Sequence, residues 1–102
     1  MWSSGLARSK IEKTSRKEAV VPTSVAFQGR QVLSAEVVLK GFDLYYTGGE
    51  HPIHRQTVRF ETVTIQGETV KFDTRAILRD KSGKLDDPYA GQVEYVVIAR
   101  VR

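Results

Sequence analysis

Two histidines, His51 and His54, are the only imidazoles in the chain, and they stand three residues apart beside Glu50. A histidine pair next to a carboxylate is part of a zinc set, since imidazole nitrogen and carboxylate oxygen are ordinary ligands of that metal. No fourth ligand lies near them in sequence, and Pro52 fixes the backbone between them without bringing them together. A solvated loop carrying two ordinary imidazoles accounts for them better. A second oxygen-rich stretch, Asp80-x-Ser82-Gly83-x-x-Asp86-Asp87, lacks the ligand spacing of a calcium loop and reads as a charged surface turn. Asp86 and Asp87 are adjacent, so they point in different directions and make a poor acid/base pair. Nucleophilic hydrolysis requires a serine, cysteine or threonine with a base and an orienting group. The chain has no cysteine and its histidines sit in one loop. The sequence therefore predicts no catalytic residue, no metal site and no cofactor.

The elements around these residues follow from alternation. Between His54 and Gly67, Val58 and Phe60 share one parity and Arg59 and Glu61 the other, the period of a half-buried strand. Val63 and Ile65 fall on the opposite phase, so the strand must change face through a bulge or twist near Glu61-Thr62. Gln66-Gly67-Glu68 then forms a tight turn in which glycine is free to take positive φ. The returning arm runs from Thr69 to about Leu78, with Val70, Phe72, Thr74, Ala76 and Leu78 on one side. This hairpin is the centre of the predicted fold.

Upstream, Val20-Val21-Pro22 opens the folded part and Val25-Ala26-Phe27 makes a short strand, with the proline at its start or edge. Val32 to Leu39 is a strand presenting Leu33, Ala35, Val37 and Leu39 on one face. It continues through a bend at Gly41 to Tyr46. Thr47 to Pro52 and Asp80 to Gly91 are loops. The last strand, Gln92 to Val101, has Val93, Tyr95, Val97, Ala99 and Val101 on one face and Val96 and Ile98 on the other, so its centre is expected to be covered on both sides. No segment keeps a helical period over three turns. The expectation is an all-β, six-stranded antiparallel sandwich over residues 19–102, with an apolar surplus on its last strand that points to an oligomer.

Residues 1–18 read differently. They hold five basic groups against two acidic ones, most of the net charge of +4. Their apolar residues, Trp2, Leu6 and Ile11, are scattered, so the segment is expected to be a flexible basic arm that orders only against a neighbour. The remaining body is close to neutral, a poor surface for tracking phosphates, which argues against nucleic acid as a partner. No apolar run is long enough to span a membrane. No secretory signal is recognisable, which leaves the compartment open, with an extracellular or virion-associated role compatible.

The central stretch resembles the H-type lectin domain, the family of snail agglutinin and the discoidin C-terminal domain. Arg55 stands at the start of the strand, Thr62-Val63-Thr64 occupies the place of the family's Asn-Val-Thr, and Gly67 follows three residues after Thr64. Val37 to Asp43 and Val93 to Ala99 are similar to the family's flanking strands, so the likeness covers about residues 20–101. It implies a six-stranded antiparallel sandwich that trimerises and binds sugar at protomer edges, with Arg55 at the position of the ligand-contacting arginine. The chain departs from the family in having Thr62 for the asparagine, Thr74-Arg75-Ala76 where an aromatic is usual, and none of the family's cysteines. Glycan binding needs a polar fork for hydroxyls and an aromatic face for the sugar ring. Arg55 supplies the first; Tyr45, Tyr46 and Tyr89 are the loop aromatics available for the second. The competing expectation is a structural or assembly subunit, such as a virion fibre, decoration or appendage protein. It would use the same sandwich and contact other subunits through residues 1–18.

Overall fold

The computed structural model describes residues 2–14, 18–48, 53–80 and 88–102, apart from the side chains of His54 and Asp80. The Glu50, His51 and His54 group and most of the Asp80–Asp87 stretch thus lie outside what is described. Six strands account for nearly all the rest: β1 (Trp2–Thr14), β2 (Ala19–Ala26), β3 (Val32–Tyr46), β4 (Ile53–Gln66), β5 (Thr69–Asp80) and β6 (Tyr89–Val101). They form two three-stranded sheets, ordered β1-β6-β3 and β2-β5-β4, and every pairing is antiparallel. The sheets pack as a sandwich. At about 3.3 Å per residue, the 15-residue β3 alone runs along most of the 49 Å long axis of the molecule.

Alternation places the core. From the central strand β5, Val70, Phe72, Thr74, Ala76 and Leu78 point inward and are buried; from the other central strand, β6, Val93, Tyr95, Val97, Ala99 and Val101 meet them. The core has two clusters, one about Phe72, Tyr95 and Val97 and one about Ile11, Leu44, Leu78 and Tyr89. Phe60 packs against both. It stands edge-on to Phe72 and Tyr95 with ring centroids 5.6 and 5.9 Å away, the geometry that aromatic quadrupoles favour.

The central hairpin forms as its sequence demands. Gln66 pairs with Thr69 around a two-residue turn in which Gly67 takes φ 61°, the first central position where a type II′ turn needs glycine. The parity switch is a bulge: from the pair Glu61–Asp73 to the pair Thr64–Lys71, β4 advances three residues while β5 advances two. Thr62 takes up the extra length at φ 57°.

Three expectations are corrected. Residues 2–14 are not an arm but the edge strand β1, paired with β6 without interruption from Trp2 to Ile11. Its composition is polar because much of it lies at an open edge. It is held by Ile11, 1% exposed, and by Ser9, whose hydroxyl lies 3.2 Å from that of Thr23 and 3.0 Å from that of Thr74. Those two hydroxyls are themselves 3.0 Å apart, so β1 of one sheet is tied to β2 and β5 of the other. Secondly, the register shift between Val32 and Ser34 turns Val32 inward and leaves Leu33 exposed. Thirdly, Ile98 and Val38 remain exposed on the outer face of β6 and β3, so that face is uncovered in the single chain. β2 also begins earlier than expected and carries Pro22 opposite Asp73, tolerable because β2 is an edge strand.

Candidate ligand-binding face

The outer face of the β2-β5-β4 sheet is mostly polar on β4 and β5, while β2 brings Val20, Pro22 and Ala26 to it. From β5 it displays Thr69, Lys71, Asp73, Arg75 and Arg79, which alternate with the inward set, while Ile77 on the same parity is covered and only 6% exposed. Two cross-strand pairs here join like charges, Arg59 opposite Arg75 and Glu61 opposite Asp73, an arrangement that would be unfavourable if nothing intervened. A closed ring of opposite charges resolves the first pair and half of the second. Arg59 Nε lies 2.6 Å and Arg75 Nε 2.7 Å from the two carboxylate oxygens of Glu61, and Arg59 Nη2 and Arg75 Nη1 reach Glu18 at 3.1 and 3.3 Å. Partly exposed pairs of this kind contribute only about 0.2–1 kcal/mol each. The consequence that matters is geometric: four long side chains are fixed, and both arginines are occupied.

Beside the ring, at the bulge, lies a groove of about 420 Å³ bordered by Pro22, Ser24, Thr62, Thr64, Lys71 and Asp73. Thr23 and Phe72 also border it, although the Thr23 hydroxyl is spent on Ser9, Thr74 and the Val21 carbonyl and the Phe72 ring on the core. Among the described residues, Ser24, Thr62, Thr64, Lys71 and Asp73 make no side-chain hydrogen bond or ion pair. Donors and acceptors therefore face the groove uncommitted.

The residues singled out from the sequence are spread more widely. Arg55 is exposed on this same face, opposite Arg79 on β5. Tyr45, 51% exposed, belongs to the outer face of the other sheet, since it follows the parity opposite to buried Leu44. Tyr46 points inward and packs against the core cluster of Leu44 and Leu78. Tyr89 is no loop residue: it opens β6, is 2% exposed, and donates its hydroxyl hydrogen to the Ala76 carbonyl at 3.3 Å. Burial raises its pKa above the usual tyrosine value. The four share one end of the sandwich, but within one chain Arg55 and Tyr45 lie on opposite faces. Glu61 is engaged by Arg59 and Arg75. Sequence reasoning missed the groove residues. The signal that could have found them was the parity switch at Glu61-Thr62, which marks the bulge.

Comparison with protein-family models finds no match. Curated proteins and solved structures yield none either. No family is assigned. What carries the functional argument is the chemistry of this face.

Proposed function

We propose that this protein is a non-catalytic carbohydrate-recognition module that acts multivalently as an oligomer, with a trimer favoured. The observation that carries the reading is the division of labour between its two outer faces. One, on β2-β5-β4, carries a ring of ion-paired guanidinium and carboxylate groups beside hydroxyl, ammonium and carboxylate groups that are uncommitted among the described residues, with Arg55 exposed upon it. Sugars are recognised by such groups, because each ring hydroxyl both donates and accepts. The other, on β1-β6-β3, is apolar at its centre and suits contact with another subunit. The resemblance to H-type lectins supports the reading only at the level of a two-sheet antiparallel sandwich: five of the six strands, β2–β6, lie in the residues it covers, and the sixth, β1, lies outside them. Weak sites repeated about a symmetry axis gain avidity without any one being tight.

The experiment is a glycan-array screen of the native oligomer alongside Arg55→Ala. Sugar-inhibitable binding by the wild type is the expected result; a fall of about tenfold or more in the variant, the effect of one lost charge-assisted contact, puts Arg55 in the site, and unchanged binding puts the site elsewhere on the same face. If the wild type binds no glycan, carbohydrate recognition is abandoned.

A second reading, an assembly subunit of a larger structure, is favoured by one observation. Trp2 and Leu6, 68% and 63% exposed, lie on β1 at the margin of the apolar face, where a different subunit could seat. An array-negative protein that still forms a defined oligomer would leave this reading standing.

A further inference from the structure

We infer that the groove at the β4 bulge is the sugar site, and that its ligand is a neutral, hydroxyl-rich ring of monosaccharide size. This deepens the carbohydrate reading and rests on it, but it moves the principal site away from Arg55.

Three observations converge. The groove, about 420 Å³, falls within the range of small-ligand sites. Its polar groups are uncommitted among the described residues, and they comprise one cation, one anion and three hydroxyls. Asp73 can accept from two adjacent ring hydroxyls, Lys71 can donate to a third, and the threonine and serine hydroxyls can do either. Pro22 offers an apolar edge to the C–H side of the ring. With Lys71 and Asp73 cancelling, the groove has no net charge, and an anionic ligand would meet the Asp73 carboxylate directly.

The neighbouring ring of charges explains why Asp73 is free. Arg75 stands two residues along the same face and would take Asp73 if it had no other partner. It is instead divided between Glu18 and Glu61. The third observation is conformational. Thr62 borders the groove at φ 57°, in the left-handed region that a β-branched residue rarely enters. Backbone strain of this sort collects at binding sites, where it places a side chain that relaxed geometry would aim elsewhere.

The test is a titration of the ¹⁵N-labelled protein with the methyl glycosides of galactose, glucose, mannose and N-acetylgalactosamine, and separately with inorganic sulfate, followed by amide chemical shifts. Saturable shifts at Ser24, Thr62, Thr64, Lys71 and Asp73 with at least one glycoside are expected. Asp73→Asn and Ser24→Ala, each with a wild-type-like spectrum elsewhere, should weaken binding about tenfold or more and about threefold or more, respectively. Shifts confined to the Arg55 end and unchanged by Asp73→Asn would overturn the groove while leaving the carbohydrate reading intact. Tighter binding of sulfate than of any glycoside would overturn the assignment of a neutral ligand. If no glycoside shifts any amide, the groove inference fails; the array result then decides separately whether the broader reading survives.

Discussion

At the scale of single residues, Thr62 joins stability to binding. A threonine held at φ 57° stores of order 1–3 kcal/mol of backbone strain. Glycine enters that region without steric cost, although it gives back about 0.5–1 kcal/mol through the greater freedom of the unfolded chain. Thr62→Gly is therefore expected to stabilise the fold by about 1 kcal/mol, raising the thermal midpoint by about 4 °C or more, while weakening saccharide binding through loss of the hydroxyl. Calorimetry of the two proteins checks the first half and the glycoside titration the second. A lowered midpoint would show that the threonine side chain makes compensating contacts and that the bulge is not strained. The same residue shows how far the site could be read in advance. The change of phase between Phe60 and Val63 is visible in the string of letters, so the bulge was legible. The groove was not, because Ser24, Lys71 and Asp73 are ordinary polar strand residues that acquire meaning only when pairing sets them beside Thr64 and Pro22. Arg55 was legible as an exposed strand arginine, whereas Tyr89 was misplaced: beside Pro88 it looks like a loop residue, and only the pairing of β6 with Tyr46 draws it into the core.

At the scale of elements, the strands with clean alternation were legible and the edge strand β1 was not. β5 and β6 are central in their sheets, so every second residue must be apolar. β1 has a neighbour on one side only, and most of its inward positions are small or polar: Ser3, Gly5, Ala7 and Ser9 precede Ile11. Its order depends on hydrogen bonds that no periodicity reveals, above all the buried hydroxyl triangle of Ser9, Thr23 and Thr74. Thr74, 0% exposed, has no access to water as an alternative partner. Thr74→Val keeps the shape and removes the hydroxyl, leaving Ser9 and Thr23 short of a partner, at a cost of about 1–2 kcal/mol. Two measurements check this. Urea unfolding should show the loss in midpoint, and hydrogen exchange should show slow amides along Trp2–Ile11 in the wild type that quicken in the variant before those of β5. Fast exchange throughout β1 in the wild type would restore the picture of a flexible arm.

For the whole molecule, the question is what becomes of the apolar outer face of β1-β6-β3. Pairing sets Leu6, Val96 and Val38 side by side in one row across that sheet, and Ile98 lies in the next row between Ser4 and Glu36. The row is bounded by charge: Arg8 is paired with Glu94 along the sheet, and the Lys40 ammonium lies 3.9 Å from the Glu94 carboxylate. An apolar strip with a charged rim is the usual anatomy of a subunit contact, and burying a leucine such as Leu6 there contributes about 1.5–3 kcal/mol. If copies of the chain meet on this face, light scattering should give a mass that is a multiple of 11.5 kDa. Leu6→Asp should return it to the monomer value with little loss of fold stability, because Leu6 touches solvent rather than core. Glycan-array binding should fall in the same variant, through lost avidity, while the glycoside shifts at the Thr62 groove remain, because a monomer keeps each site intact and loses only their multiplicity. A wild type that is monomeric at micromolar concentration would remove the multivalent part of the proposal and leave the groove to be judged on its single-site affinity.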